Sequence, residues 1–214
     1  APKTAAALVD AAGAVGPVAT VPTPAASGPA AVLDAVAGLV AQVADGVPIV
    51  GVGVGTAGVV DAGRGVIVSA TETFADWVGT HVAAGLRARL GVDRVEVRND
   101  VDAHALGEAW LGAGAGAASV LMVAVGTGVG GALVLDGRLR TGAHHVAGEL
   151  GHIPAVGAEG LRCPCGRPGH LEALAAGPGL ARRYGVLTGA VVDAREVARR
   201  AGAGDAEAVR AIAE

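Results

Sequence analysis

Aromatic side chains are nearly missing from this sequence: one Phe, one Tyr and two Trp make up 2% of 214 residues. Core volume must therefore come from Val, Leu, Ile and Ala, packed closely around 36 glycines. Lysine is as scarce, with Lys3 alone and every other basic side chain an arginine. The net charge is −4 and no Lys/Arg cluster is interleaved with aromatics, so the footprint of a nucleic-acid reader is missing. Only two cysteines occur, in Cys163-Pro164-Cys165. A disulfide between residues so close is strained, and no further cysteine is present to pair with. That points to a reducing, cytoplasmic compartment and to metal ligation.

Charge is absent from Ala109 to Leu135, but glycines from Gly112 to Gly131 break the stretch into strand-length apolar pieces, which reads against a membrane span. The opening residues lack a basic segment and are interrupted by Asp10, unlike a secretory leader. The chain begins without methionine inside an apparent strand, and we expect further residues beyond both ends.

What is present is an apolar fraction of 52% with mixed charge, enough for one large domain or two small ones. Strands are expected at Thr4–Val9, Val18–Val21, Ile49–Val54, Val59–Val60, Val66–Val68 and Val95–Val97. Val32, Leu33, Val36, Leu39, Val40 and Val43 repeat at helical spacing. A second helix carries Val82, Leu86 and Leu90, and a third runs from about Val101 to Leu111. Gly112–Gly116 reads as a linker dividing a domain at 1–111 from one at 112–214. Beyond it, Val120–Val125 and Ala132–Leu135 read as strands, with Asp136-Gly137 a hairpin turn before Arg138-Leu139. Residues 142–172 are mostly loop, and the remainder is helical, with Asp205 a helix cap. His81 and His104 fall on expected helices as structural residues, and His144 and His145 receive no role.

Two segments fit G-x-G-x-x-G, Gly53–Gly58 and Gly126–Gly131. A dinucleotide-binding site needs a strand before the glycines and a helix after them. Here strand-like sequence follows both. A strand, a glycine turn and a returning strand instead offer backbone N–H groups to a phosphate, with the Thr127 hydroxyl as a further donor. The alternative is a plain β-hairpin.

Asn99-Asp100 lies between an expected strand and an expected helix, where ligands bind in α/β sheets. A carboxylate there could take the proton of a hydroxyl as it attacks a phosphoryl group. The alternative is that the pair only caps the helix. His152, Cys163, Cys165 and His170 form H-x10-C-x-C-x4-H, two imidazoles and two thiolates suited to tetrahedral zinc, with glycines around Pro164 for a sharp turn. Free thiols beside surface histidines are the alternative.

Taken in order, Gly51–Asp61 (GVGVGTAGVVD), Val97–Asp100 (VRND), Gly126–Gly131 (GTGVGG), Ala147–His152 (AGELGH) and Cys163–Glu172 (CPCGRPGHLE) resemble the ROK family of repressors, open reading frames and kinases. The resemblance implies an actin-like ATPase, ribonuclease H-like α/β fold of two domains, with a sugar and ATP cleft between them. It implies Asp100 as catalytic base, and Asn99, Glu149, His152 and Glu172 as sugar contacts. Lys3, Gly126, Thr127 and Gly128 would serve the nucleotide, accompanied by Mg2+. His152, Cys163 and Cys165 would hold structural Zn2+, with His170 in place of the family's third cysteine. It further implies a homodimer with no membrane partner. Ala1-Pro2 stand where the family has Gly-Thr before Lys3. Glu72-Thr73 stand where it has a Pro-Asn sugar contact, with Trp77 kept. The activity implied is phosphorylation of a hexose or N-acetylhexosamine. The rival readings are a sugar-responsive transcriptional regulator of the family, which would need a helix-turn-helix, and a sugar-binding protein without catalysis.

Overall fold

The structure, a computed structural model, describes residues 2–71 and 74–213. The expectations at Ala1 and at Glu72-Thr73 lie outside the described residues.

The first half begins with β1 (Lys3–Ala6), antiparallel to β2 (Ala19–Pro22). β1 is shorter than the expected strand, and beyond it Val9 bridges Val15 across a turn in which the Asp10 carboxylate accepts the N–H groups of Ala12 and Ala14 at 2.9 Å each. Helix α1 (Gly28–Ala44) follows, with Pro29 in its first turn, where the missing N–H costs nothing. By length and composition alone the Ala25–Ala44 segment could cross a bilayer, but Val32 and Leu33 of α1 are buried in a protein core. β3 (Val52–Thr56) pairs in parallel with β6 (Val95–Asn99), in register from Val52 opposite Val95 to Thr56 opposite Asn99. Between them lie an antiparallel pair, β4 (Val59–Asp61) and β5 (Val66–Ser69), and helix α2 (Val82–Leu90). β3 starts at Val52, so Ile49 lies before it, and His81 immediately precedes α2 instead of falling on it.

Leu33, Ile67, Trp77, Val82, Leu86 and Val97 form the core of this half, with Val52 and Val54 packed against it. Trp77 stacks on Phe74 with ring centroids 5.3 Å apart and donates its indole N–H to the Ala57 carbonyl at 3.3 Å.

Helix α3 (Asp100–Leu111) packs against β3 on one side and against β7 (Ser119–Val125) and β8 (Val129–Leu135) on the other. Ala105, Ala132 and Val134 are buried between α3 and the second sheet. That sheet is antiparallel in the order β7, β8, β9 (Arg138–Arg140). β8 begins at Val129, earlier than expected, because only Gly126–Gly128 intervene between the paired residues Val125 and Val129. Residues 142–170 contain a single turn of 3-10 helix, Leu150–His152. This turn lies so close to β8 that a Cβ on Gly151 would collide with the Val129 carbonyl oxygen. Helices α4 (Leu171–Ala175), α5 (Gly177–Thr188), α6 (Ala194–Gly202) and α7 (Ala206–Ala213) complete the described chain. Tyr184, Val197, Ala208 and Ala211 form their core. Asp205 caps α7 through the Ala208 N–H at 2.9 Å and accepts the Tyr184 hydroxyl at 2.9 Å.

Neither G-x-G-x-x-G segment is followed by a helix, since β4 follows the first and β8 the second. Leu86 has no solvent exposure in a core with so few large side chains. Leu86→Ala should lower the unfolding free energy by about 3 kcal/mol, measured by urea denaturation.

Candidate active site

The parallel β3–β6 pair ends at Asn99, so α3 starts at its carboxyl edge. Asn99 is the cap of that helix. Its Oδ1 accepts the N–H groups of Val101 at 2.8 Å and Asp102 at 3.3 Å, and its Nδ2 donates to the Gly58 carbonyl at 3.0 Å. A side-chain amide suits this place because it can accept from a helix start and donate to a carbonyl at once, which a carboxylate cannot.

With Asn99 committed to capping, Asp100 becomes the first helical residue and is exposed. One of its oxygens lies 3.0 Å from the Val101 nitrogen. Asp100 lines a cavity of about 1380 Å³ whose wall also includes Lys3, Gly55, Thr56, Phe74 and Trp77. Lys3 and Asp100 are therefore brought to one cavity. The Gly126–Gly128 turn, Glu149, His152 and Glu172 are not in that wall and form a second group.

Electrostatics connects the two groups. Burial raises the Glu149 carboxyl above its ordinary value; His152 opposes the shift, while Glu172 and Asp100 add to it. Burial likewise pushes Asp102 up to about 6, with Glu149 and Asp100 raising it further and Arg98 acting against them. Four carboxyl groups thus converge, and the half-buried ones retain protons longer than free carboxylates do. Asp102 carried no signal in the sequence, because its nearness to Glu149 exists only once α3 and the 3-10 turn both pack against β8.

The two nitrogens of His152 face different neighbours. Nδ1 is 3.6 Å from the Cys163 sulfur, and Nε2 is 3.9 Å from a Glu149 oxygen. One nitrogen thus faces the candidate metal donors and the other the Glu149 side. Cys165 Sγ lies 3.2 Å from His170 Nδ1. One ligand atom from each of His152, Cys163, Cys165 and His170 falls within 4.8 Å of all the others. A tetrahedron of zinc–nitrogen and zinc–sulfur bonds would set those separations at about 3.5 Å, so a small contraction would close the cage. The donor set of two imidazoles and two sulfurs fits zinc. Burial pushes the Cys163 thiol up to about 11, and a cation bonded to the sulfur would reverse that.

The knuckle is built from backbone bonds. Cys163 N–H donates to the Arg167 carbonyl at 2.9 Å and Gly166 N–H to the Cys163 carbonyl at 2.9 Å. Leu171 N–H donates to Ile153 at 2.9 Å, placing the start of α4 beside His152. Glu172, on α4, reaches the glycine turn, its Oε2 accepting the Val129 N–H at 2.9 Å. Thr127 is exposed at the tip of that turn. His144 is also exposed, His145 is partly buried, and His104 lies 3.5 Å from Glu108 on the same helix.

Two measurements test this site. Cys163→Ser should reduce bound zinc from one per chain to well below half by elemental analysis, since a neutral hydroxyl is a poor zinc ligand. For Asp102, the folded carboxyl holds its proton to about 6 against an ordinary 3.8. Between those values the folded chain binds more protons than the unfolded one, so Asp102 makes stability fall as pH rises through that window. Asp102→Asn should flatten the fall in melting temperature between pH 4 and 6, followed by circular dichroism.

Both the sequence and the fold are similar to those of known proteins. The family model described as the ROK family matches residues 1–214. A glucokinase of Halalkalibacterium halodurans is 47% identical over 88 residues, which cover 41% of this chain and 27% of that protein. The crystal structure of a ROK hexokinase from Thermus thermophilus superposes with a TM-score of 0.82 at 36% identity, covering 98% of this chain and 68% of that one. A ROK family glucokinase from Streptomyces griseus, in complex with glucose and AMPPNP, superposes with a TM-score of 0.81 at 32% identity, covering 98% and 70%. The match with the first relative therefore spans about a quarter of its length.

Proposed function

The chain belongs to the ROK family, with its actin-like, ribonuclease H-like α/β fold, and from that premise we propose that it forms the core of a cytoplasmic ATP-dependent kinase of a hexose or N-acetylhexosamine. The observation that carries this reading is the placing of Asp100. A capped helix start holds an exposed carboxylate at the end of a parallel strand pair, in the same cavity as Lys3. The glucose and AMPPNP held by the Streptomyces griseus relative support both a sugar and a nucleotide as ligands. We take residues 1–111 and 112–214 as the two domains, with α3 as the element shared between their sheets.

In this reading a sugar hydroxyl, that on C6, lies within hydrogen-bond reach of Asp100. Its oxygen bonds to the γ-phosphorus of ATP as the bond from that phosphorus to the β,γ-bridging oxygen breaks. The hydroxyl proton passes to the Asp100 carboxylate, and ADP leaves. Glu149 and the Nε2 side of His152 orient the sugar ring. Backbone N–H groups of Gly126, Thr127 and Gly128, with Lys3, stabilise charge on the phosphate oxygens, a part that preorganised donors perform without rearrangement. Mg2+, when bound with the nucleotide, would neutralise the phosphates further. The His152, Cys163, Cys165 and His170 cluster would hold Zn2+ as a structural element that fixes the sugar-facing loop. Closure of the two domains would exclude water from the transfer.

Asp100→Asn keeps the shape of the side chain and loses proton acceptance. It should lower kcat for sugar-dependent ADP release by at least about a hundredfold while sugar affinity stays within about twofold. The assay pairs Mg-ATP with glucose, mannose, N-acetylglucosamine, N-acetylmannosamine, allose and fructose. Retained turnover in the variant would remove Asp100 from the chemistry. No ADP release by the folded, zinc-loaded wild type with any sugar would favour sugar sensing instead.

A further inference from the structure

The side chain of Glu172 is held at both oxygens by protein groups, which a residue serving only as a sugar contact would not need. Oε2 accepts the Val129 N–H at 2.9 Å, at the point where the Gly126–Gly128 turn becomes β8. Oε1 lies 3.4 Å from the Cys163 sulfur, a bond that the free thiol donates and a metal-bound thiolate would not. Cys163 is almost wholly buried and neighbours His152 Nδ1. The backbone of Glu172 is set from the same side, because α4 begins directly after His170, whose Nδ1 lies 3.2 Å from Cys165 Sγ. Position 128 has to be glycine for this carboxylate to fit, since a Cβ there would come within 2.5 Å of Oε2.

The turn itself has few fastenings. Gly126 N–H closes onto the Gly128 carbonyl at 2.8 Å, and the Gly126 carbonyl accepts the Gly177 N–H at 2.8 Å. The bond from Val129 to Glu172 is the one of these that involves a charged acceptor, and such bonds are the stronger kind. It also orients the exit of the turn and so the direction of the N–H groups before it.

We propose that Glu172 is a positioning residue that couples the His152, Cys163, Cys165 and His170 cluster to the Gly126–Gly128 turn, so that metal in the cluster sets how tightly the turn grips the phosphates of a nucleotide. The inference rests on the phosphate-binding reading of that turn. The path runs from His170 through Leu171 into Glu172 on α4 and from its carboxylate to the turn, a contiguous physical connection that can be tested by cutting it. Side-chain length makes the test discriminating. Glutamine keeps an acceptor at the same reach, whereas alanine removes it.

The zinc-loaded chain, Glu172→Ala and Glu172→Gln are compared by amide hydrogen exchange at Val129 and by calorimetric titration with AMPPNP in the absence of sugar. Glu172→Ala should exchange Val129 about tenfold faster and bind AMPPNP about tenfold more weakly, as loss of one charge-assisted bond implies. Its zinc should stay at one per chain, and Glu172→Gln should recover most of both effects. Removing zinc from the wild type with a chelator should speed Val129 exchange similarly, and should change it little in Glu172→Ala. The proposal is overturned if Val129 exchange in Glu172→Ala matches the wild type, or if chelation leaves Val129 exchange unmoved. Loss of sugar affinity with AMPPNP affinity and Val129 exchange intact would overturn it too, making Glu172 a sugar ligand alone. If the wild type binds no AMPPNP, the nucleotide reading fails, and the exchange measurements still decide whether cluster and turn are coupled.

Discussion

The cap that Asn99 places on α3 is the interaction on which the rest of the site depends. One side chain satisfies two helix N–H groups and ties the junction to the Gly58 carbonyl, fixing where β6 stops and in which direction α3 leaves. Asp100 inherits its position from that junction. Because α3 then packs on β3 and on β7–β8, the same cap also sets how the second sheet stands relative to the first. A misdirected α3 would move the carboxylate and the glycine turn together.

The second constraint is scarcity of large side chains. Residues 142–170 have almost no regular structure, and Cys163 and Ala158 are among the few buried apolar side chains there. Backbone hydrogen bonds and a four-donor cluster take the place that a hydrophobic core would otherwise fill, and metal coordination is strong enough to order such a loop. This loop carries Glu149 and His152, so stability and ligand geometry meet in the same residues. The small side chains have a second consequence. With glycine at 151 and 128, the 3-10 turn and the Glu172 carboxylate come within contact distance of β8.

Much of the architecture was legible from residue pattern. The 3.6-residue repeat from Val32 to Val43 lies within α1, and the Asp136-Gly137 turn joins β8 to β9 where expected. Boundaries shifted at β1, which ends at Ala6 and not at Val9, and where a turn was tighter than its sequence suggested, as before Val129. The cluster of candidate metal donors was legible because its four residues lie within nineteen consecutive positions, His152 to His170, and two of them are the chain's only cysteines.

The sequence by itself determined most of the element types, the four candidate metal donors, the place of Asn99-Asp100 between a strand and a helix and the likeness to the ROK family, because each depends on residues near one another in the chain or on an ordered set of short motifs. Only the tertiary structure decided that Asp102 sits among carboxyl groups, that His152 divides its nitrogens between a sulfur and Glu149, and that Glu172 spans from Cys163 to Val129. The longest of these join residues that local pattern does not relate, Val129 with Glu172, 43 positions apart, and Asp102 with Glu149, 47 positions apart. Burial and hydrogen-bond reach are properties of packed elements, and no spacing rule encodes them.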